Sequence, residues 1–126
     1  TSQRGMSARI DEWLMAGEHL LAAGAGGVVF CERGVVGFEP QSRNLLDLTA
    51  VATLSGVYGQ PVVVDPSHAC GRRDLVAPLS RAALAAGGHG LLVEVHDDPG
   101  GALSDGPQAI PTQELKQLWR ALERQP

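Results

Sequence analysis

PVVVDPSHACGRRDLVAPLSRAALAAGGHGLLVEVH, Pro61 to His96, is the stretch that decides the fold. It opens on a β-branched apolar run that ends at Asp65, where a proline breaks the strand. His68 follows, and then Gly71 with Arg72 and Arg73 leads into a helix through LVAPLSRAALAAGG. HGLLVEVH is a second apolar run, again ending in ionisable residues. Strand, amphipathic helix and strand in that order predict two parallel strands joined by a right-handed crossover.

The same rhythm extends to both sides. Upstream, ARIDEWLMAGEHLLAAG predicts a helix with Ser7 as N-cap, Asp11 and Glu12 at the positive end of its dipole, and Gly24 as its stop. Ile10, Trp13, Leu14, Gly17, Leu20 and Leu21 fall on one stripe at helical spacing. Gly27 to Glu32 predicts a buried strand, and a loop then leads to a weaker helix from about Asn44, as its cap, to Ser55. Beyond His96, DDPGGALSDGPQAIP is a polar, glycine-rich loop. TQELKQLWRALERQ is a terminal helix with Leu115, Leu118, Trp119 and Leu122 on one face. Trp13 and Trp119 are expected in the core or in helix-to-barrel packing. One helix and three strand–helix units give a single α/β domain over residues 1–126.

At 126 residues with 44% hydrophobic and 19% charged side chains, the chain has the composition of one folded domain. A net charge of −4 and scattered arginines, with Lys116 the lone lysine, argue against a broad nucleic-acid-binding face. No run approaches the ~20 apolar residues that span a bilayer. Cys31 and Cys70 make no disulfide framework and nothing resembles a secretory signal, so a reduced, cytoplasmic setting is expected. Gly24, Gly26 and Gly27 precede a strand instead of following one, so a dinucleotide loop fails on context.

In parallel α/β folds, ligands bind beyond the carboxyl ends of the strands. There the three strands deliver Glu32 and Arg33, then Asp65 and His68, then Glu94 and His96. Asp105 follows in the next loop. One histidine nitrogen and two carboxylate oxygens, from His68, Glu94 and Asp105, suit a divalent metal with open coordination positions. Each residue also has a plainer reading. His68 fits a hydrogen-bonded loop residue and Asp105 fits a turn. Glu94, inside LLVEV, needs a partner wherever it is buried. Arg33 suits an anion, or an ion pair with Glu32 or Glu94. Arg72 and Arg73 suit phosphate or plain solvation, Cys31 a ligand, and Cys70 a small buried filler.

CERG (Cys31–Gly34), RNLLDL (Arg43–Leu48), VDPSHACGRRDLV (Val64–Val76), PLSRAALAAG (Pro78–Gly87), LLVEVH (Leu91–His96) and ALSDGPQ (Ala102–Gln108) together resemble one family. It is that of the 3-deoxy-D-arabino-heptulosonate 7-phosphate (DAHP) synthases, of the short microbial type related to 3-deoxy-octulosonate 8-phosphate synthase. RGMSA (Arg4–Ala8) resembles the family's exit from its fifth barrel strand. The resemblance implies a partial (β/α)8 TIM barrel, C-terminal strands six to eight with their helices. It implies a metal-dependent transferase that condenses phosphoenolpyruvate with erythrose 4-phosphate, the first step of the shikimate route to aromatic amino acids.

Carried over by motif, His68, Glu94 and Asp105 would be metal ligands, the ion being Mn, Fe, Co, Zn or similar. Arg33 and His68 would serve catalysis. Arg33, Arg4, His68 and Asp105 would contact substrate, Arg33 through the phosphoenolpyruvate phosphate. The family's usual lysine before RG is Gln3 here. Its first half, which supplies a fourth ligand and a basic loop, has no counterpart in this sequence. The expected chain offers three strands and at most the stub of another, too few to close a barrel. A free chain is therefore expected to have little or no activity and to pair with itself or with an N-terminal half. An octulosonate or amino-sugar relative is the remaining alternative, with RNLLDL and GRRDLV favouring the heptulosonate branch.

Overall fold

Phe30–Glu32 and Val62–Val64 form two of the four strands in a computed structural model that describes residues 1–123. Ser2–Gln3 (β1), Phe30–Glu32 (β2), Val62–Val64 (β3) and Gly90–Leu91 (β4) lie side by side in sequence order, every pair parallel. The register sets Ser2 beside Phe30, Phe30 beside Val62, and Val64 beside Leu91. The sheet thus holds four strands. The residues before Arg4, which show no strand pattern, pair because Ser2 and Arg4 donate to Val29 and Cys31 carbonyls at 2.8 and 3.0 Å.

β4 is shorter than its apolar run. After Leu92 donates to Val64 O the backbone leaves β3, and Val95 bridges Ile110 in parallel. Among the described residues, neither β1 nor β4 has a strand on its outer side.

The helices are α1 (Ile10–Ala22), α2 (Leu48–Ala52), α3 (Pro66–Cys70), α4 (Arg73–Ala85) and α5 (Thr112–Leu122). Residues 124–126, where the terminal helix was expected to run on, lie outside the described residues. The caps differ from those the sequence predicts. Arg9, not Ser7, precedes α1, and its backbone N–H donates to Glu12 at 2.8 Å. Asp47, not Asn44, caps α2, accepting the Ala50 N–H at 2.9 Å. Asn44 instead pairs its backbone with Ala69, next to an antiparallel bridge between Val35 and Leu45. α2 continues into a π turn at Thr53–Val57. α1 does end one residue short of Gly24's neighbour Ala23, with Gly24 itself at φ 96°.

Period-2 alternation sends Phe30, Val62 and Val64 to the helix-covered face, where they meet Trp13, Val51, Leu54 and Ala83. Phe30 meets Trp13 edge-on, with ring centroids 5.3 Å apart at 88°, a pair worth about 0.5–1.5 kcal/mol beyond its buried area. Gly17 makes room for it: a Cβ there would lie 2.5 Å from Phe30 Cζ. A second cluster, Cys70, Val76, Ile110 and Leu118, joins α4 to α5. Leu20 and Leu21, on the apolar stripe of α1, are exposed at 43% and 44%, and Trp119 is 63% exposed in a groove beside β4. No helix is long and apolar enough to cross a membrane among the described residues.

Candidate metal centre

The site grows from one short sequence, Asp65–His68, at the end of β3. Asp65 caps α3 and Pro66 occupies its first turn with φ already set, so the strand turns directly into a helix. Asp65 Oδ1 accepts the His68 backbone N–H at 2.9 Å, and Oδ2 lies 2.7 Å from the ring Nδ1. A carboxylate only accepts, so Nδ1 is the donor to Asp65, which leaves Nε2 as the ring nitrogen that faces outward. That is the second-sphere arrangement of metal-binding histidines.

Nε2 faces Glu94 Oε1 at 3.7 Å and Asp105 Oδ2 at 3.9 Å. One donor atom from each of His68, Glu94 and Asp105 lies within 4.8 Å of the others. Glu94 is held by its backbone, its N–H donating to Ser67 Oγ at 3.0 Å and its carbonyl accepting from Ile110 at 2.9 Å. Asp105 sits in a left-handed turn, φ 56°, beyond a 3-10 turn at Pro99–Gly101. Glu94 is not buried as its apolar surroundings suggest; its side chain is 41% exposed, and no described strand lies beyond β4.

This donor set fits a divalent cation. Its one imidazole nitrogen and two carboxylate oxygens are donor types such an ion takes, and the nitrogen lies 3.7 and 3.9 Å from the two oxygens, so bonds of ~2.1 Å would draw the three a few tenths of an ångström inward. Charge points the same way: among the described residues, His68 is the one basic side chain within ion-pair distance of Glu94 or Asp105.

The other expected residues lie elsewhere. Arg33, half-buried after β2, reaches Gln3 Oε1 at 3.4 Å. Arg4 is enclosed, 7% exposed, and binds Glu32 at 2.9 Å and Asp47 at 2.8 Å. Burial pushes the Glu32 carboxyl above its ordinary range despite Arg4. Asp47 is also raised by burial, but Arg4 and the α2 backbone outweigh this and hold it below. Cys31, fully buried, stays apart from the cluster, its thiol pushed up to about 11 mainly by burial. His96 is exposed and accepts the Asp98 N–H. Arg72 pairs with Asp74. Arg73 binds the carbonyls of Ala109 at 2.7 Å and Gly106 at 3.2 Å.

Sequence reasoning missed the supporting residues: Asp65 as orienter of the ring, Ser67, Gln108, and the arginines that fasten the loop. The spacing Asp-Pro-Ser-His could have revealed the first, because an N-cap acid and a histidine three residues on share one helical turn. α3 itself was missed for the same reason, being too short to show periodicity.

A sequential, all-parallel sheet with crossover helices, its polar residues gathered beyond the strands' carboxyl ends, is the architecture of α/β-barrel segments. The chain belongs to the DAHP synthetase I family, whose family model matches residues 2–125. It is 44% identical over 122 residues to the phospho-2-dehydro-3-deoxyheptonate aldolase of Thermotoga maritima, covering 97% of this chain and 36% of that protein. To a 2-dehydro-3-deoxyphosphooctonate aldolase of Alkalilimnicola ehrlichii it is 40% identical, over 79% of this chain and 39% of that one. A truncated 3-deoxy-D-arabino-heptulosonate 7-phosphate synthase from Thermotoga maritima superposes with a TM-score of 0.91 at 43% identity, covering 97% of this chain and 47% of that one. This chain spans less than half the length of each.

Proposed function

We propose that this chain is the carboxyl-terminal part of a (β/α)8 barrel, with β2, β3 and β4 as strands six to eight and β1 the end of the fifth. The complete barrel would join phosphoenolpyruvate, erythrose 4-phosphate and water to give DAHP and phosphate. The observation that carries the reading is the convergence of His68 Nε2, Glu94 and Asp105, with the ring proton committed to Asp65. The greater likeness to the heptonate aldolase, over more of the chain, supports heptulosonate over octulosonate chemistry.

In this reading His68, Glu94 and Asp105 hold a divalent cation, which when bound would polarise an aldehyde oxygen as a Lewis acid. Arg33 supplies a fixed guanidinium for the phosphoryl group of phosphoenolpyruvate at the end of β2. Gln3, beside it, adds a hydrogen-bond donor without charge, so anion affinity here is weaker than a lysine would give. Arg4 is saturated by Glu32 and Asp47 and serves by fastening β1 to β2. With the other strands absent from this sequence, the chain alone would bind cation and show little or no condensation. Titration calorimetry with Mn²⁺ tests this: binding is expected, weakened tenfold or more by His68→Ala or Glu94→Ala. Absence of binding by the unmodified chain would sink the reading.

A second reading is favoured by the surface. The chain exposes 7394 Å², against about 6,400 Å² expected for its 13.2 kDa. An apolar groove of about 650 Å³ runs between β4 and α5, lined by Leu91, Leu92, Val95, Leu118 and Trp119. On this reading the chain is an assembly module that pairs with itself or with the missing amino-terminal half. Size-exclusion chromatography with light scattering separates the two, since a stable monomer argues against self-pairing.

A further inference from the structure

Asp105 differs from the other two members of the cluster in how it is held. His68 is fixed by α3, and Glu94 by the backbone continuing from β4. Asp105 occupies a loop, in a left-handed conformation at φ 56° that aspartate adopts at some cost. Its carboxylate is fixed from behind. Gln108 Nε2 donates to Asp105 Oδ1 at 2.6 Å, which leaves Oδ2 as the oxygen facing His68. Gln108 is fully buried, an unusual place for an amide that needs several partners.

The amide's own direction is set by a third residue. Arg43 Nη2 donates to Gln108 Oε1 at 3.3 Å. Turning the amide over would set its NH₂ against the guanidinium and its oxygen against the carboxylate, so the two partners dictate one orientation. Arg43 is anchored in turn: its backbone N–H donates to Cys70 O at 3.0 Å, at the end of the helix that carries His68. Its side chain crosses Gly71, where a Cβ would come within 3.0 Å of Arg43 Cβ. A chain of contacts therefore runs from the end of α3 through Arg43 and Gln108 to Asp105.

We propose that Arg43 and Gln108 position the Asp105 carboxylate for a divalent cation, acting through hydrogen bonds without touching the ion. The proposal rests on the reading of His68, Glu94 and Asp105 as ligands. Gln108 and Arg43 are positioning residues. They present one Asp105 oxygen to the cluster and couple the loop to the helix bearing His68.

The test is Mn²⁺ binding to the full chain, followed by the electron paramagnetic resonance signal of the free ion, with metal-free melting curves to verify folding. Gln108→Met keeps the buried volume and removes the donor, while Gln108→Glu keeps the acceptor for Arg43 and turns an acceptor toward Asp105. Both are expected to weaken Mn²⁺ binding about tenfold or more. Arg43→Met is expected to weaken it by a smaller factor. Arg43→Lys, which keeps a charged donor, should restore binding to within about threefold of the unmodified chain.

A purely structural role for Gln108 would lower the melting temperature and leave Mn²⁺ affinity alone. If folded Gln108→Met and Gln108→Glu bind Mn²⁺ like the unmodified chain while Asp105→Ala does not, the positioning role is overturned and the ligand reading stands. If Asp105→Ala has no effect, or the unmodified chain binds no Mn²⁺, both fall. Should the Gln108 variants fail to fold, the Arg43→Met and Arg43→Lys pair decides: equal affinities overturn the proposal.

Discussion

The two sides of the sheet treat carboxylates in opposite ways. Beside β1 and β2, Glu32 and Asp47 are gathered around one guanidinium, and Arg4 satisfies both inside the protein. Beside β3 and β4, Glu94 and Asp105 face Nε2 of a histidine whose other ring nitrogen is held by Asp65. The first side is closed, with its cation supplied by the chain. The second keeps its carboxylates close together and partly exposed, with no arginine or lysine among the described residues within ion-pair distance. The comparison separates carboxylates neutralised within the chain from carboxylates left open to the surface, although both sets lie beyond the strands' carboxyl ends.

The strongest way to break the comparison is to remove the built-in cation. Arg4→Met leaves Glu32 fully buried without its cation, held only by backbone N–H groups such as that of Gly34, and is expected to cost about 3–5 kcal/mol in denaturant unfolding. An unchanged midpoint would remove the distinction between the two sides. On the open side the cation must come from solution: Mn²⁺ at a hundred times its Kd should raise stability by about 2.7 kcal/mol. That gain should vanish in Glu94→Ala, as read by the melting temperature with and without metal.

The closed side should also fail in alkali. Cys31 keeps its proton when folded up to about pH 11, whereas unfolded it loses the proton near pH 9. Its contribution is therefore whole below pH 9 and is lost as pH rises toward 11, by about 2 kcal/mol. Cys31→Ala should flatten that part of the stability profile, and a thiol reagent at pH 8 should leave Cys31 unmodified until the chain unfolds. Gly17→Ala, which normally favours a helix, should here cost about 1–3 kcal/mol because its methyl meets the Phe30 ring. The smallest effect sharpens the contrast: Glu94→Gln should leave the metal-free chain within about 0.5 kcal/mol while lowering Mn²⁺ affinity. A large loss of stability would mean that Glu94 is structural after all.

The alternation of strands and helices was legible because each element carries its own period, and the cluster followed because strand ends share one side of a parallel sheet. Residue type and place bring His68, Glu94 and Asp105 to one end of the sheet, while their role as ligands comes from the family resemblance. What stayed hidden depends on distant partners. Gln108 reads as one more polar residue in a glycine-rich loop, and nothing local says that it lies fully buried between Asp105 and Arg43. Arg73 reads as a solvated helix residue until the loop carbonyls of Gly106 and Ala109 come to it. Trp119 matches the apolar stripe of α5 yet faces the open groove beside β4, since a stripe says which face is apolar and not what covers it. Arg4 was chosen as a substrate contact by its motif, and only the folded chain reveals the two carboxylates that occupy it.

The bridge between Val95 and Ile110 has a consequence for how the cluster assembles. It ties the neck of the segment that begins beside Glu94 and carries Asp105, making it an Ω-shaped loop whose ends are already together. Two of the three cluster residues therefore ride on one short-range unit, which can close on the submicrosecond timescale of small loops. His68 arrives on a separate turn of helix. The cluster joins two separate pieces of the chain, so a cation bound there would act as a clasp and slow the exchange of the Ile110 amide with deuterated water.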